Sequence, residues 1–327
     1  NAVSQERLKC EKLLATQTTP YHSMHKILYK EHQWGQNERQ KVCTYSPILP
    51  EGEELKGLIF NIHGGGLISG SIAQNKDFCL WLADNGYTVF AIEYRLLPEV
   101  DFLSQVGDVC DAIDHLYEPV YNKPYYLIAD SAGCHLALIV NALFSNHKGN
   151  DIRDSFGIHP IQYIDFDGVW LNSPMIQTTG FNKIGIFMAK YFYGEHWKLK
   201  GYSQYLKYPY DYLLRYLPQT VVITSSKKDD IHGQAKKAYK RLKELGKYVK
   251  FFYSNKKDHP HDWNVLWPEK DEETIIINSA AFGFLTGQYE EEIAFSDLFL
   301  RRDLCQILKQ VKICLMPSMK SAMTMQL

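Results

Sequence analysis

The run Ala129-Asp130-Ser131-Ala132-Gly133 puts a serine between small residues, with an apolar stretch behind it and a helical pattern ahead. A serine wedged between a buried strand and a helix must sit on a tight turn that lifts its hydroxyl above the sheet. That is the arrangement of a nucleophile elbow, usually written G-x-S-x-G, where crowding demands small flanking residues. Ala129 replaces the first glycine at the cost of one methyl group. A second run, His63-Gly64-Gly65-Gly66, closes an earlier apolar stretch. Three glycines let the backbone come close to a ligand and turn its N–H groups inward. Acyl transfer needs such donors for the negative oxygen of a tetrahedral intermediate, plus the N–H of the residue after the nucleophile. Gly65, Gly66 and Ala132 are therefore the candidate oxyanion donors.

A nucleophilic serine also needs a base and an acid that orients the base. In the strand–helix architecture that carries such elbows, the chain order is serine, carboxylate, histidine. Asp229 and Asp230 follow an apolar run at 220–224, and His259 and His261 follow another at 249–253. Both pairs stand just past strand ends, where open α/β sheets place their sites. That placement does not choose between neighbours, and an aspartate there could equally cap the next helix.

The elements that must hold these groups alternate along the chain. Two early strands, 25–30 and 41–45, alternate polar and apolar residues and suit an antiparallel edge. Short, almost unbroken apolar runs at 57–62, 88–93, 125–129, 168–172, 220–224 and 249–253 read as strands buried on both faces. Helical patterns cover 75–85, 102–116, 132–144, 231–245 and 272–285. The order implies an α/β fold: a mostly parallel sheet of about eight strands with helices on both faces. The segment 173–217 is too long for an ordinary loop of about 4–6 residues. It is rich in rings, among them Phe187, Tyr191, Phe192, Tyr193, Trp197, Tyr202, Tyr205 and Tyr210. It reads as an inserted cap whose rings either form a small core or line an apolar pocket. After 289, Leu300, Leu304, Ile307, Leu308, Val311 and Leu315 recur at helical spacing, giving a C-terminal extension over 288–327. Its apolar face suits its own domain first and a second subunit, hence a homodimer, next.

Composition narrows the classes. At 327 residues the chain allows one large domain or two ordinary ones, and about eight strands favour one. A hydrophobic fraction of 45% excludes wholesale disorder. Balanced charge, 36 basic against 37 acidic residues, argues against a nucleic-acid partner. Apolar runs fall far short of the ~20 residues of a spanning helix. Seven scattered cysteines without a C-x-x-C pair suit free thiols in a reducing compartment rather than disulfides or structural zinc. With no secretory pattern at the first residues, the expected location is cytoplasmic.

Taken together, His63–Gly66, Ala129–Gly133 and Glu93-Tyr94-Arg95-Leu96-Leu97-Pro98-Glu99 resemble the hormone-sensitive-lipase-like branch of the α/β-hydrolases, which includes bacterial acetyl esterases. The third run is similar to that family's D-Y-R-L-A-P-E, with Glu93 for Asp and Leu97 for Ala. Asp229-Asp230-Ile231 resembles its acid-bearing D-x-L, and His261-Asp262-Trp263 its H-G-F or H-D-F; Ser226-Lys227 replaces the Gly-Glu before the acid. The likeness spans about 25–287, with 1–24 as an N-terminal helical segment contributing to the cap. It implies a serine carboxylic-ester hydrolase with Ser131 as nucleophile, His261 as base and Asp229 as acid, on a small-molecule ester of short acyl chain, with no cofactor. It also implies supporting roles for Arg95 and Glu99 as a pair beneath the site, and for His63 in shaping the oxyanion loop. Glu93, in strand context, needs a partner to stay charged. His135 reads as a packing residue. Rival readings are a same-fold amidase, formamidase or peptidase, a non-catalytic ligand receptor, and an interaction protein acting through its C-terminal helix.

Overall fold

The computed structural model describes residues 21–118, 122–145, 150–179 and 189–288. The first compact unit, Asn1–Gly287, holds every described element, and the second, Gln288–Leu327, covers the stretch where the sequence suggests a C-terminal helix, a stretch that lies outside the described residues. So do residues 1–20 of the expected N-terminal helical segment.

Eight strands form one sheet: β1 (Ile27–Gln33), β2 (Lys41–Pro47), β3 (Gly57–Ile62), β4 (Tyr87–Ile92), β5 (Tyr125–Asp130), β6 (Gly168–Asn172), β7 (Thr220–Ser226) and β8 (Tyr248–Ser254). Their order is β1-β2-β4-β3-β5-β6-β7-β8. β1 pairs antiparallel with β2, and β2 antiparallel with β4. All other neighbours are parallel. Strands β3 to β6 are buried at every residue because helices cover both faces, which is why their sequences are almost unbroken apolar runs. β1, on the edge, keeps five exposed residues of seven.

The helices are α1 (Lys76–Asp84), α2 (Phe102–Leu116), α3 (Ser131–Phe144), α4 (Asn150–Phe156), α5 (Ser203–Lys207), α6 (Pro209–Tyr212), α7 (His232–Glu244), α8 (Trp263–Leu266) and α9 (Glu272–Leu285). Asp101 caps α2 by accepting from Ser104 N–H, and Asp271 caps α9 through Thr274 N–H. Every residue of α3 is buried, so a helix without a polar face is what this position requires. Among the described residues no helix is long and apolar enough to cross a membrane.

From β3 the chain first moves to β4 on one side and then returns to β5 on the other, so β3 and β5 diverge at a switch point. Open α/β sheets bind ligands in the crevice beyond the strand ends at such a point. Ile62 lies opposite Ala129 in that pairing, so His63–Gly66 and Asp130–Ser131 leave the sheet side by side.

Between β6 and β7 lies the insertion. Among its described residues Phe192, Tyr193, Trp197, Tyr202, Tyr205 and Tyr210 are buried and join the main hydrophobic core, while Tyr208 stays half exposed. Tyr193 packs edge-on against Phe102 of α2, and its hydroxyl bonds His135 Nε2 at 2.9 Å and the Thr178 hydroxyl. His135 Nδ1 in turn donates to the Ile176 carbonyl at 3.0 Å. Burial drives this imidazole down to about 4, against the weaker pull of the Ile176 bond, so it stays neutral and ties the insertion to α3. Phe187 lies outside the described residues.

Candidate active site

Ser131 follows β5 and begins α3 with φ +46°, a left-handed backbone that costs a non-glycine residue about 1 kcal/mol or more. The turn is held from several sides. Met175 N–H donates to the Ser131 carbonyl at 3.1 Å, and a Cβ on Gly133 would lie 2.3 Å from the Ile62 carbonyl oxygen. Only glycine lets α3 approach the end of β3 so closely. Ser131 Oγ lies 2.7 Å from His261 Nε2. His261 Nδ1 lies 2.8 Å from Asp229 Oδ1.

Asp229 is buried, and its second oxygen accepts from Ser225 Oγ at 2.7 Å while Oδ1 also accepts from Ile231 N–H at 3.0 Å. Burial pushes its carboxyl up, but His261, Ser225 and the Ile231 amide outweigh burial and hold it below the usual carboxylate range. Asp230 is exposed. On the imidazole of His261 burial pulls down, while Asp262, Asp229 and Asp130 pull up and win, raising it to about 9. The ring is 37% exposed, while Asp229 and Asp262 beside it are buried.

His259 stands elsewhere. Its ring is wholly buried and stacks on Trp263, with Nδ1 2.7 Å from Ser254 Oγ and Nε2 2.9 Å from Asp271 Oδ2. Asp258, His259 and Asp271 gather potential metal-ligand atoms, but Lys256 sits 2.8 Å from Asp271 and Lys270 3.7 Å from Asp258, an ion-pair cluster. His259→Ala is therefore expected to lower unfolding stability by roughly 1–3 kcal/mol. It should change ester turnover less than tenfold (~1.4 kcal/mol). Denaturant melts and initial rates check this, and a loss of turnover matching that of His261→Ala would reverse the roles of the two histidines.

Of the candidate donors, Gly65 (φ +111°) occupies a conformation that only glycine adopts readily, and a Cβ there would lie 2.1 Å from the Ser69 carbonyl oxygen. Ala132 is in the first turn of α3, whose N–H groups have no intrahelical acceptor. Asp130 occupies the N-cap position but makes no cap bond. Its oxygens accept instead from Gly64 N–H at 2.9 Å and Asn75 Nδ2 at 2.6 Å. The glycine loop is thus tied to the elbow, and Asp130 leaves the N-terminal amides of α3 uncapped.

The loop has a second support. Tyr94 stacks on His63 at 4.3 Å and donates from its hydroxyl to the His63 carbonyl at 2.8 Å. Glu93, buried just past β4, lies 3.2 Å from His63 Nε2 and 2.6 Å from Arg39 Nη1, and accepts from Ile72 N–H at 3.1 Å. Burial raises its carboxyl, but His63, Arg39 and that amide prevail and keep it below its ordinary range. Arg95, expected to pair with Glu99, is held by Asp108. Its guanidinium makes a two-point contact with Asp108 of α2, at 2.8 and 2.6 Å, and its N–H donates to the same carboxylate. Such a fork outcompetes a single contact because both oxygens are engaged in one plane.

Residues that sequence reasoning left without a role are Asp130, Asn75, Ser225 and Asp262. Asp130 lies inside the quoted elbow motif, but an aspartate before a helix reads as a cap. Asn75 and Ser225 carry no local signal.

A family model described as alpha/beta hydrolase fold matches residues 59–263. Neutral cholesterol ester hydrolase 1 of Bos taurus is 33% identical over 134 residues, which cover 37% of this chain and 33% of that protein. A putative alpha/beta hydrolase, R526, of Acanthamoeba polyphaga mimivirus is 23% identical over 146 residues, 40% of this chain and 42% of that protein. The matches thus span about a third to two fifths of these relatives' length. Among solved structures, esterase B from Lactobacillus rhamnosis superposes with a TM-score of 0.71 at 19% identity, covering 88% of this chain and 95% of that one. A bacterial heroin esterase gives 0.64 at 19% identity, with 88% and 92% covered. At such identities the structural likeness speaks for the fold.

Proposed function

The chain belongs to the α/β-hydrolase fold family, in its hormone-sensitive-lipase-like branch, and from that premise we propose that it is a serine carboxylic-ester hydrolase acting through an acyl-enzyme. The observation that carries the reading is the unbroken line from Ser131 Oγ through both nitrogens of His261 to Asp229, with links of 2.7 and 2.8 Å. In this reading Ser131 attacks the ester carbonyl while His261 Nε2 takes the hydroxyl proton. Asp229, ionised, holds the Nδ1–H tautomer and stabilises the imidazolium. The N–H groups of Gly65, Gly66 and Ala132 receive the oxyanion, each such donor being worth roughly 3 kcal/mol of barrier. His261 returns the proton to the leaving alcohol as the tetrahedral intermediate collapses. Water then attacks the acyl-serine with His261 as base, releasing the acid.

Short acyl chains are the proposed substrates. The chain leaving β6 closes on the serine: Met175 N–H is on the Ser131 carbonyl, and Ile176 and Gln177 N–H both donate to Gln234 Oε1 at 2.8 Å. Tyr193 of the insertion is buried against Phe102 and His135 of α2 and α3, which supports a short acyl site over a long one. A panel of nitrophenyl esters from acetate to palmitate, run on wild type and Ser131→Ala, is the test. Acyl chains of about two to six carbons should turn over fastest, as one buried methylene is worth only ~0.8 kcal/mol and crowding costs more than that. Palmitate hydrolysed faster than butyrate at matched solubility overturns the chain-length assignment. A cholesteryl ester in the same panel tests whether the substrate in the bovine relative's name applies to this chain.

A further inference from the structure

We propose that Asp262 is a positioning residue that holds a proton jointly with His261 and so sets the pH at which Nε2 becomes free to take the Ser131 proton. The proposal rests on His261 being the general base.

Nε2 of His261 has two neighbours, not one. Besides Ser131 Oγ at 2.7 Å, it faces Asp262 Oδ2 at 3.2 Å. Asp262 cannot easily turn away. Its backbone is left-handed at φ +56°, which folds the carboxylate back beside the preceding ring. Its N–H donates to Ser173 Oγ at 3.0 Å, and its carbonyl accepts from Val265 and Leu266 N–H at 3.0 and 2.9 Å. The residue is 3% exposed, and its other oxygen, Oδ1, is buried with no hydrogen-bond partner among the described residues.

The Nδ1–H of a neutral His261 is committed to Asp229, so Nε2 then carries a lone pair. Without a proton between Nε2 and Oδ2, two lone pairs would face each other at 3.2 Å in a buried setting. With one, either the imidazolium N–H meets a carboxylate or the carboxylic acid O–H meets the imidazole. Both forms have the same total charge, and both occupy the lone pair that Ser131 needs. The titratable groups facing the pair from neighbouring elements are Asp229 after β7, Asp130 at the end of β5 and Cys134 on α3. None is a cation, so none helps to expel the proton. Burial, first, drives the Asp262 carboxyl well up, and His261 is itself raised. The two groups release their shared proton as a unit rather than as independent sites.

The sign of the pH effect follows. Below the release point Nε2 is occupied and Ser131 is not activated, so kcat/KM should climb with pH through a midpoint above the ordinary imidazole value of about 6.5. Removing Asp262 frees Nε2 at lower pH. Two variants suit the backbone here: Asp262→Gly, which relieves the left-handed strain, and Asp262→Asn, which keeps the shape and tolerates it.

The experiment is a 1H–15N titration of the histidine rings in wild type, Asp262→Gly and Asp262→Asn, with the His261 signal assigned by its loss in His261→Gln. The acid limb of kcat/KM for a short nitrophenyl ester is measured on the same proteins. The His261 midpoint should fall by roughly 1–3 pH units in both variants, as removal of a close carboxylate implies, and the acid limb should follow. A midpoint that stays in place in both variants overturns the proposal and leaves Asp262 a structural residue, which would lower thermal stability alone. Should no ester be hydrolysed while the ring midpoint moves, the enzymatic reading fails and the shared proton stands.

Discussion

Ser131→Ala is expected to abolish ester hydrolysis while leaving the protein folded. The substitution removes one oxygen, whose contact is His261 Nε2 at 2.7 Å, and keeps a side chain small enough for a turn set between Ala129 and Gly133. Alanine has the same left-handed cost at φ +46° as serine, so the elbow is strained no further. Loss of a serine nucleophile has cost about 10⁶ in kcat in a well-studied protease, with the remainder over water coming from the oxyanion donors and binding. Rates on nitrophenyl acetate, with a thermal melt of each protein, make the comparison. Retention of more than about a tenth of the wild-type rate, one step of ~1.4 kcal/mol, would falsify the assignment of Ser131 as nucleophile.

What the chain states locally and what it hides are both visible around this serine. Strands β3 to β7 could be read to within a residue or two because burial on both faces leaves an unbroken apolar run that ends where the site begins. The short helices of the insertion, Ser203–Lys207 and Pro209–Tyr212, span about one turn each, too little for a 3.6-residue period to repeat. The supports of the site lie far apart in sequence. Glu93 sits just past β4, yet its partner Arg39 comes from 54 residues earlier. Arg95 and Glu99, four residues apart, read as a pair. The turn into α2 brings Asp108 against Arg95, and no periodic pattern records that turn. Asp130 misleads by type, since its position before a helix advertises a cap while its carboxylate ties down the glycine loop. Asp262 is hidden differently. Its sequence position beside His261 is plain, but only a left-handed backbone turns the carboxylate onto the imidazole.

Asp229 and Asp230 are adjacent, and the two should respond to the same substitution by very different amounts. Asp229 is buried with both oxygens engaged, by His261 Nδ1, Ile231 N–H and Ser225 Oγ. Those contacts hold it ionised in spite of burial, and an ionised Oδ1 accepts the Nδ1–H that leaves Nε2 as the basic nitrogen. An amide in its place can present N–H to Nδ1. The ring then carries its proton on Nε2, facing a serine from which it can no longer accept one. In a serine protease that change costs about 10⁴ in kcat with the geometry intact. A loss of similar size is expected for Asp229→Asn, along with a lower His261 midpoint, because the carboxylate no longer stabilises the imidazolium. The linked effect on stability has a definite sign. The lowered carboxyl of Asp229 contributes stability above its unfolded value, and this fades as pH falls through the folded one, so the Asn variant should lose less stability on acidification than wild type. Asp230 is exposed, and Asp230→Asn should leave kcat within a few-fold, about 1 kcal/mol or less. The comparison needs kcat for both variants on one short ester and denaturant melts at neutral and acidic pH. Equal losses, or a larger one in Asp230→Asn, would take Asp229 out of the catalytic line and leave its contact with His261 a matter of folding alone.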